Sequence, residues 1–402
     1  MKKQNCPCPK QAVILAGGQG VRLRPFTLHK AKPMYPFHGK PFLYYLIRQL
    51  EGQGLYKILL LLGYKADSII EYIHSRSDWK ADISFSITDT KDETGTRLRC
   101  AKEKLEKEFL LLYCDNYCPI DIGEAFACYR KLKFDAQITV YANSDGYTKD
   151  NVRIRADKTV ERYDPSRKST GLAGVDIGYA FVKKKVLDQL PEDNVNFEHS
   201  IYPHLINKEK LGAYVTEHRY YSIGDHRRIT ATESFLRFTP AVFLDRDGVL
   251  NHKPPKSNYV TCPQGFQWLP GAIEAVKLLN DAGYLVFVVT NQAGIALGLM
   301  SHEDISRIHS KMQDDLARQC AHVDAIYYCP HHWDDGCGCR KPRPGLLYQA
   351  QKEYNLNLKH TYIIGDSLSD IEAGRAVGCK AFLVTEEASC LNIVKQHIIV
   401  EQ

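Results

Sequence analysis

The sequence has no long apolar run, and this absence excludes several kinds of protein. No stretch of about 18 apolar residues occurs among its 402 residues, so we expect no membrane-spanning helix. The N-terminus, MKKQNCPCPK, is polar and lacks the apolar core of a secretory signal, which predicts a cytoplasmic protein. Repeats and low-complexity tracts are also missing, and the composition (44% hydrophobic, 25% charged) is that of an ordinary globular protein.

A strong charge imbalance and a cysteine framework are lacking as well. The net charge is +6 and the basic residues are scattered, so we expect no nucleic-acid partner and no membrane partner. A modest basic excess suits phosphorylated small molecules as substrates. The 13 cysteines are an odd number in a large chain, which favours buried thiols or metal ligands over disulfides. Cys6 and Cys8 have no partner pair nearby, and we interpret them as tail residues.

The length and the pattern of apolar segments predict two α/β domains. A chain of 402 residues exceeds the usual size of one domain. Near-continuous apolar strands alternate with helices from residue 11, which indicates doubly wound, mainly parallel sheets covered on both faces. The alternation restarts at Ala241, so we predict domains at 1–238 and 239–402, joined at Phe238 to Pro240 without a Gly/Ser linker.

Four short polar segments of the second half follow predicted strands, where open parallel sheets place their ligands. The first contains Asp245 and Asp247, followed by Gly248, which lets the backbone turn away. Two carboxylates at this spacing can divide a task, since one attacks phosphorus and binds a metal while the other protonates the leaving oxygen. The second segment contains Thr290 and Asn291, whose hydroxyl and amide can donate to phosphate oxygens.

The third and fourth segments supply charge of both signs. Arg340 and Lys341 offer cations for the developing charge of a phosphoryl group. Asp366 provides a hard oxygen ligand for Mg²⁺. Asp370 follows one turn later and either supports that site or caps the next helix.

A metal-binding pattern lies immediately before Arg340. Cys329, His331, Cys337 and Cys339 are four soft ligands within one loop, as tetrahedral Zn²⁺ requires. Four protein ligands close the coordination sphere, so we predict a structural zinc that orders the loop presenting the two cations. His332 is the alternative imidazole ligand.

Together these segments resemble the haloacid-dehalogenase superfamily of phosphatases over roughly residues 241–385. The resemblance implies that Asp245 is the nucleophile and Asp247 the general acid/base, that Thr290 and Lys341 bind phosphate, and that the Mg²⁺ ligands are Asp245, Asp247 and Asp366. The zinc loop is similar to that of the branch containing the D-glycero-D-manno-heptose 1,7-bisphosphate 7-phosphatases and the histidinol-phosphate phosphatases. The spacer between its two half-sites is shorter than expected of the heptose enzymes, which leaves the substrate within that branch open.

The first half carries a glycine-rich loop after its first predicted strand. Small residues allow a triphosphate to lie against backbone amides, and a nearby arginine and lysine add cations. The loop lacks the G-K-S/T of a P-loop and differs from the G-x-G-x-x-G dinucleotide loop. The predicted nucleotide-binding residues are Leu15, Ala16, Gly17, Gly18, Gly20, Arg22 and Lys32.

This loop, followed by K-P-M and G-K-P, resembles the sugar-1-phosphate nucleotidyltransferase family over about residues 11–230. The resemblance implies attack of a sugar 1-phosphate on a nucleoside triphosphate, with Arg22 and Lys32 at the phosphates. It also implies an Mg²⁺ ligand at Asp115 and sugar contacts from Glu161 and Asp176. The carboxylate of Asp176 has the additional signal of standing in an otherwise apolar strand.

Several residues depart from the family pattern. Ala31 and Cys114 replace a proline and a glycine, and residues 94–97 (TGTR) resemble the cytidylyltransferase variant of the next segment. Ser222 stands where many members carry a second metal-binding aspartate, and Asp225 is a possible substitute of different geometry. These departures place the metal site of the first half in question.

The two resemblances imply consecutive steps of one synthesis. A heptose 1,7-bisphosphate that loses its 7-phosphate becomes the heptose 1-phosphate that a guanylyltransferase converts to GDP-heptose. We therefore expect a bifunctional enzyme with Mg²⁺ at both sites and GTP as nucleotide. The alternatives are a cytidylyltransferase or other nucleotidyltransferase, a histidinol-phosphate-like phosphatase, and a first domain that senses sugar nucleotides without catalysis, which Ser222 and Cys114 favour.

Overall fold

Two large sheets organise the chain, one in each of two units that divide between Leu236 and Arg237. The structure is a computed structural model that describes residues 8–255 and 258–401. Cys6 therefore lies outside the described residues. The predicted boundary at 238/239 lies two residues beyond this division and stays a prediction. No helix of the described ranges combines the length and the apolar character that a membrane span needs.

The first unit contains thirteen strands and six helices among its described residues. The strands are β1 Ala12–Ala16, β2 Pro36–Phe37, β3 Lys40–Pro41, β4 Lys57–Leu62, β5 Asp82–Ile87, β6 Glu108–Tyr113, β7 Asn116–Tyr117, β8 Ala136–Tyr141, β9 Val152–Ile154, β10 Val160–Tyr163, β11 Val175–Lys183, β12 Leu211–Thr216 and β13 Tyr221–Ser222. The helices are α1 Phe42–Gly52, α2 Ala66–His74, α3 Thr94–Cys100, α4 Ile122–Leu132, α5 Phe197–Asn207 and α6 His226–Leu236.

Seven of these strands form one sheet in the order β12-β8-β11-β6-β1-β4-β5. Strand β1 alternates between two cores, because Ile14 packs on one face of the sheet while Val13 and Leu15 pack on the other. This double coverage confirms the predicted doubly wound α/β class. One difference from the mainly parallel expectation is β11, which runs antiparallel to both of its neighbours, β6 and β8.

The second unit has a five-stranded sheet in the order β16-β15-β14-β17-β18, and every pairing in it is parallel. Its strands are β14 Ala241–Leu244, β15 Leu285–Asn291, β16 Ala325–Cys329, β17 Thr361–Gly365 and β18 Lys380–Leu383. Its helices are α7 Ala272–Asp281, α8 His302–Ala317, α9 Gly345–Tyr354, α10 Leu368–Ala376 and α11 Cys390–Ile393.

Local capping signals set where the helices of the second unit begin. Ser301 and Asp304 form a reciprocal capping box at the start of α8, and Ser367 and Asp370 form another at the start of α10. Strand β14 buries Val242 and Leu244 on one face and Phe243 on the other. The carboxyl ends of β14, β15 and β17 thus meet at one edge, where the polar segments follow.

Candidate active sites

The loop after β14, the first turn of α10 and the segment after the cysteine cluster bring three charged side chains of the second unit together. Lys341 Nζ lies 2.9 Å from Asp245 Oδ1 and 2.5 Å from Asp370 Oδ1, and it donates to the backbone carbonyl of Val289 at 2.7 Å. All three charged residues are buried. Burial raises the pKa of Asp245 to about 6, while Lys341 opposes that shift. The ammonium is therefore fixed directly beside the predicted nucleophile.

A group of three carboxylates could hold a divalent cation. One oxygen from each of Asp245, Asp366 and Asp370 lies within 4.8 Å of the others. Hard oxygen donors at this spacing fit Mg²⁺. Gly248, at φ +89°, is required here because a Cβ would overlap the Asp366 carboxylate. Lys253 Nζ also contacts that carboxylate, at 2.7 Å from Asp366 Oδ2.

Asp370 both caps helix α10 and contacts the site, and these are the two roles that its sequence position left open. Its Oδ2 accepts hydrogen bonds from the backbone N and the hydroxyl of Ser367, which caps α10. Its Oδ1 faces Lys341. Gly365 is needed beside it, because a Cβ there would overlap the Asp370 side chain. Asp370 is therefore a site residue that spacing alone did not separate from a helix cap.

The Asp247 carboxylate stands apart from this group, although it was expected among the metal ligands. The buried Arg246 guanidinium reaches both of its oxygens, at 2.8–3.2 Å. Asn251 and Gln292 donate to it at 2.9 and 2.8 Å. These three donors bind the carboxylate of Asp247, which is not among the three clustered aspartates, and nothing in the sequence marked Arg246, Asn251 and Gln292 as its partners.

The remaining predicted residues of this site divide into two kinds. Thr290 is buried and its hydroxyl accepts from Gln292 at 2.9 Å, which links it to the donors of Asp247. The Asn291 side chain instead pairs with the backbone N and O of Lys341, both at 3.1 Å. It thereby positions the Lys341 segment. Arg340 is half-buried on the cysteine-rich loop, where it contacts the carbonyl of His331.

The four predicted zinc ligands converge. Cys329 Sγ lies 3.6 Å from both His331 Nδ1 and Cys337 Sγ, and His331 Nδ1 lies 3.2 Å from Cys339 Sγ. All four donor atoms lie within 4.8 Å of one another, as bonds of about 2.0–2.3 Å to one central ion require. Burial and the neighbouring sulfurs raise the pKa of Cys339 to about 12, because thiolates cannot crowd together without a cation. The donor set therefore fits zinc.

The first unit has a cleft of about 480 Å³ over the carboxyl ends of β1 and β6. The predicted residues that line it are Leu15, Gly17, Gly18, Gly20, Arg22, Lys32 and Asp115. Ala16 packs instead into the core on one face of the sheet. Lys32 Nζ lies 2.5 Å from Asp115 Oδ2, so the cleft contains a lysine–aspartate pair between the glycine-rich loop and the end of β6.

Arg97 explains why a glycine is needed at position 17 of this loop. Its buried guanidinium donates to the carbonyls of Gly17, Leu62 and Asp89 at 2.8–3.3 Å. A Cβ at Gly17 would overlap the guanidinium. Residues 94–97 were noted for their resemblance to the cytidylyltransferase variant. In the structure, Arg97 stabilises the loop by its hydrogen bond to the carbonyl of Gly17, a role that the sequence did not indicate.

Ser222, which stands in place of the second metal-binding aspartate, has a defined set of backbone contacts. Ser222 pairs with Asn116 in a short antiparallel ladder, and its buried hydroxyl accepts from Gly224 N at 2.9 Å. Asp225 accepts from Arg227 N at the start of α6. Among residues 8–236, no three His, Cys, Asp or Glu side chains are grouped as metal ligands. Three carboxylates, Asp92, Glu93 and Asp115, line this cleft, and Asp115 is the one that lies beside Lys32 at the end of β6, where it could contact an ion arriving with a nucleotide.

The two predicted sugar contacts differ in environment. Glu161 is partly exposed and pairs with Arg153 at 3.0 Å. Asp176 lies on β11 and accepts from Gly178 N at 3.0 Å. Burial, with the nearby Glu198 adding to it, raises the pKa of Asp176 well above its ordinary value. Neither predicted residue lines the nucleotide cleft, and Glu198 is a partly buried carboxylate near Asp176 that sequence reasoning missed.

Comparison with known proteins identifies relatives of both units. The family model described as nucleotidyl transferase matches residues 11–226, and the one described as HAD-hydrolase-like matches residues 338–396. A structure from Bacillus anthracis, described as a glucose-1-phosphate thymidylyltransferase in complex with a sucrose, is 17% identical with a TM-score of 0.51. The match covers 56% of this chain and 95% of that chain, and it shows the fold of the first unit.

Two curated phosphatases are similar to the second unit. The D-glycero-beta-D-manno-heptose-1,7-bisphosphate 7-phosphatase of Rhodopseudomonas palustris is 37% identical over 169 residues, which are 40% of this chain and 91% of that protein. The D-glycero-alpha-D-manno-heptose-1,7-bisphosphate 7-phosphatase of Campylobacter jejuni is 40% identical over 136 residues, which are 34% of this chain and 76% of that protein. Relatives named for both anomers therefore match the same unit.

Proposed function

Because the chain belongs to the nucleotidyl transferase family, and its second unit to the family of the heptose-1,7-bisphosphate 7-phosphatases, we propose a bifunctional enzyme of activated-heptose synthesis. The second unit removes the 7-phosphate of D-glycero-D-manno-heptose 1,7-bisphosphate. The first unit then transfers a nucleotidyl group to the resulting heptose 1-phosphate and releases pyrophosphate. The observation that carries this proposal is the presence of both families in one chain, because the product of one reaction is the substrate of the other.

In the phosphatase step, the Asp245 carboxylate attacks phosphorus and the bond to the sugar oxygen breaks. Asp247 donates a proton to that oxygen and later accepts one from the attacking water, which hydrolyses the aspartyl phosphate. Lys341 and Thr290 hold the phosphate oxygens, and Arg246 keeps the Asp247 carboxylate in place. Asp245, Asp366 and Asp370 would hold Mg²⁺, which when bound neutralises charge on the phosphate.

In the nucleotidyl step, a sugar 1-phosphate oxygen attacks the α-phosphorus of the nucleotide and pyrophosphate leaves. The backbone of the glycine-rich loop with Arg22 and Lys32 binds the triphosphate. Asp115 would hold Mg²⁺ together with the phosphates, and that ion neutralises developing charge. We further propose GTP as the nucleotide and the α-anomer as the sugar, on the family resemblance. These nucleotide and sugar phosphates favour the cytoplasm as the place of action.

One assay tests both activities. The full chain is incubated with each anomer of D-glycero-D-manno-heptose 1,7-bisphosphate, Mg²⁺ and one nucleoside triphosphate at a time. Phosphate, pyrophosphate and sugar nucleotide are followed by mass spectrometry. We expect phosphate and GDP-heptose from the α-anomer with GTP. Phosphate without pyrophosphate for every nucleotide, with supplied heptose 1-phosphate as well, would contradict the transferase.

A second candidate function applies to the first unit alone. Ser222 stands in place of a carboxylate, and Asp225 is engaged at its own helix start. These observations favour a unit that binds sugar nucleotides without catalysis. In the assay above, binding of GDP-heptose measured by calorimetry without any turnover would identify this sensor.

We also propose that Cys329, His331, Cys337 and Cys339 bind a structural zinc ion, because their donor atoms converge. Removal of the metal by a chelator is expected to lower the melting temperature of the phosphatase unit by about 10 °C, since the loop before Lys341 loses its cross-link. Calorimetry of the full chain measures this, with zinc content by mass spectrometry.

The same result is expected for Cys337→Ser, whereas the control Cys262→Ser changes an exposed thiol of the same unit and keeps the wild-type melting temperature. Nucleotidyl transfer should persist in both variants. An unchanged melting temperature and unchanged phosphatase activity in the zinc-free protein would refute the structural role.

A further inference from the structure

Lys253 is a charged residue of the phosphatase site that the reaction described above does not use. It lies on the loop between Asp245 and α7, and its Nζ is 2.7 Å from Asp366 Oδ2. Its side chain is 57% exposed, whereas that of Asp366 is 13% exposed. A solvent-accessible ammonium is thus in direct contact with an almost covered carboxylate of the candidate metal group.

The negative charges of the three clustered carboxylates explain why ammonium groups lie beside them. Three carboxylates whose oxygens lie within 4.8 Å repel one another strongly when they are partly dehydrated. Lys341 supplies one positive charge for two of them, because it lies between Asp245 and Asp370. The third, Asp366, is paired with Lys253. When all three are ionised, the carboxylates exceed the two ammonium groups by one negative charge, so the group still attracts a divalent cation.

The two lysines differ in how firmly they are held. Lys341 is 3% exposed and is anchored by two carboxylates and the carbonyl of Val289. Lys253 has a flexible stem largely in solvent and is held by one carboxylate, so its ion pair is readily broken. A dication held by Asp366 would compete with Lys253 for that carboxylate and would repel the ammonium. Lys253 can move out, whereas Lys341 cannot.

We propose that Lys253 is a displaceable counter-ion that neutralises Asp366 in the metal-free site and moves to the second phosphate of the substrate when Mg²⁺ binds. The part concerning the second phosphate rests on the proposed bisphosphate substrate. The reacting phosphate already faces Lys341, so the distal dianion requires another cation. A lysine at the rim, whose point charge sits on a long flexible stem, suits a phosphate several ångströms from the reacting one.

Metal binding tests the first part. Free Mn²⁺ is measured by electron paramagnetic resonance as the ion is titrated into the full chain, and the site is assigned by its loss in Asp366→Asn. Lys253→Met is expected to tighten Mn²⁺ binding about fivefold, because no ion pair has to be broken. Lys253→Arg should retain the wild-type affinity. The control Lys277→Met removes another solvent-exposed lysine of the same unit, paired with Asp281 on α7, and should change nothing. Equal affinities in Lys253→Met and wild type would overturn the counter-ion role.

Substrate dependence tests the second part. At saturating Mg²⁺, Lys253→Met should raise KM for the heptose bisphosphate about tenfold, as expected for loss of one charge-assisted contact. KM for p-nitrophenyl phosphate, which has no second phosphate, should stay unchanged. Equal changes for both substrates, or no change for either, would overturn the contact. A wild-type enzyme that does not hydrolyse the bisphosphate would refute the proposed function, while the Mn²⁺ titration would still decide the counter-ion role.

Discussion

Asp245→Asn is expected to abolish phosphate release from the heptose bisphosphate while nucleotidyl transfer from a supplied heptose 1-phosphate continues. The amide cannot attack phosphorus, so the rate should fall by about 10⁴-fold or more, the scale on which loss of a nucleophile slows covalent catalysis. Lys341 would retain Asp370 as a partner, at 2.5 Å, so the fold around the site should persist. Phosphate and sugar nucleotide are measured separately, each with its own substrate.

The matched control for this variant is Asp281→Asn, which changes an exposed aspartate at the end of α7 in the same unit. It should retain both activities, because its carboxylate contacts only the neighbouring Lys277 in the part of the chain that the structure describes. Substantial phosphatase activity in Asp245→Asn would show that another group attacks phosphorus. Loss of both activities with an intact fold would show that the two units do not act independently.

Asp115→Asn is expected to give the opposite pattern, with nucleotidyl transfer lost and phosphatase activity retained. Asp115 is the cleft carboxylate that pairs with Lys32, at 2.5 Å, and it could contact an ion arriving with the nucleotide. In the described part of this unit it belongs to no group of three metal-ligating side chains, so we expect its loss not to be compensated. We expect a decrease of about 10²–10³-fold in pyrophosphate release, typical of losing a group that stabilises transition-state charge.

Asp188→Asn is the control for this second variant, because it removes an exposed carboxylate of the first unit that pairs with Lys102. Pyrophosphate release should be unchanged in it. Calorimetry of nucleotide binding shows whether the Asp115→Asn variant has lost nucleotide binding or only the transfer step. Tight GTP binding without turnover is expected if Asp115 acts on the ion at the reacting phosphorus. Full activity in Asp115→Asn would contradict the role of Asp115 as the metal ligand and would assign the ion to another residue of the cleft.

Mixing the two variants, each of which lacks a different activity, should restore the complete sequence of reactions. Asp245→Asn and Asp115→Asn together should convert the bisphosphate to the sugar nucleotide, because each supplies the unit that the other lacks. The intermediate is a free heptose 1-phosphate, so it can diffuse between molecules. This outcome connects the separate sites to the proposed order of the reactions.

The sequence alone determined the elements and the local clusters. The period of apolar residues predicted β14 and β15 and the helix α7 between them, because alternating or continuous burial is a property of neighbouring residues. The four zinc ligands lie within eleven residues, so their spacing was sufficient to predict that they converge. Asp115 was predicted at the end of a strand, and it follows β6 in the structure. Each of these predictions depends on short-range order.

Only the tertiary structure decided which distant residues share a site. Arg97 donates to the carbonyl of Gly17, which is 80 positions away in the sequence, and Lys253 donates to Asp366, which is 113 positions away. The structure likewise showed Asp370 beside Lys341, Asp247 held by Gln292, and β11 antiparallel in the sheet. Such contacts depend on the order of the strands and the paths of the loops. Both are determined by the packing of the whole hydrophobic core. A charged residue in a loop carries no periodic signal of its own, so its partner becomes known only when the sheet brings the strand ends together.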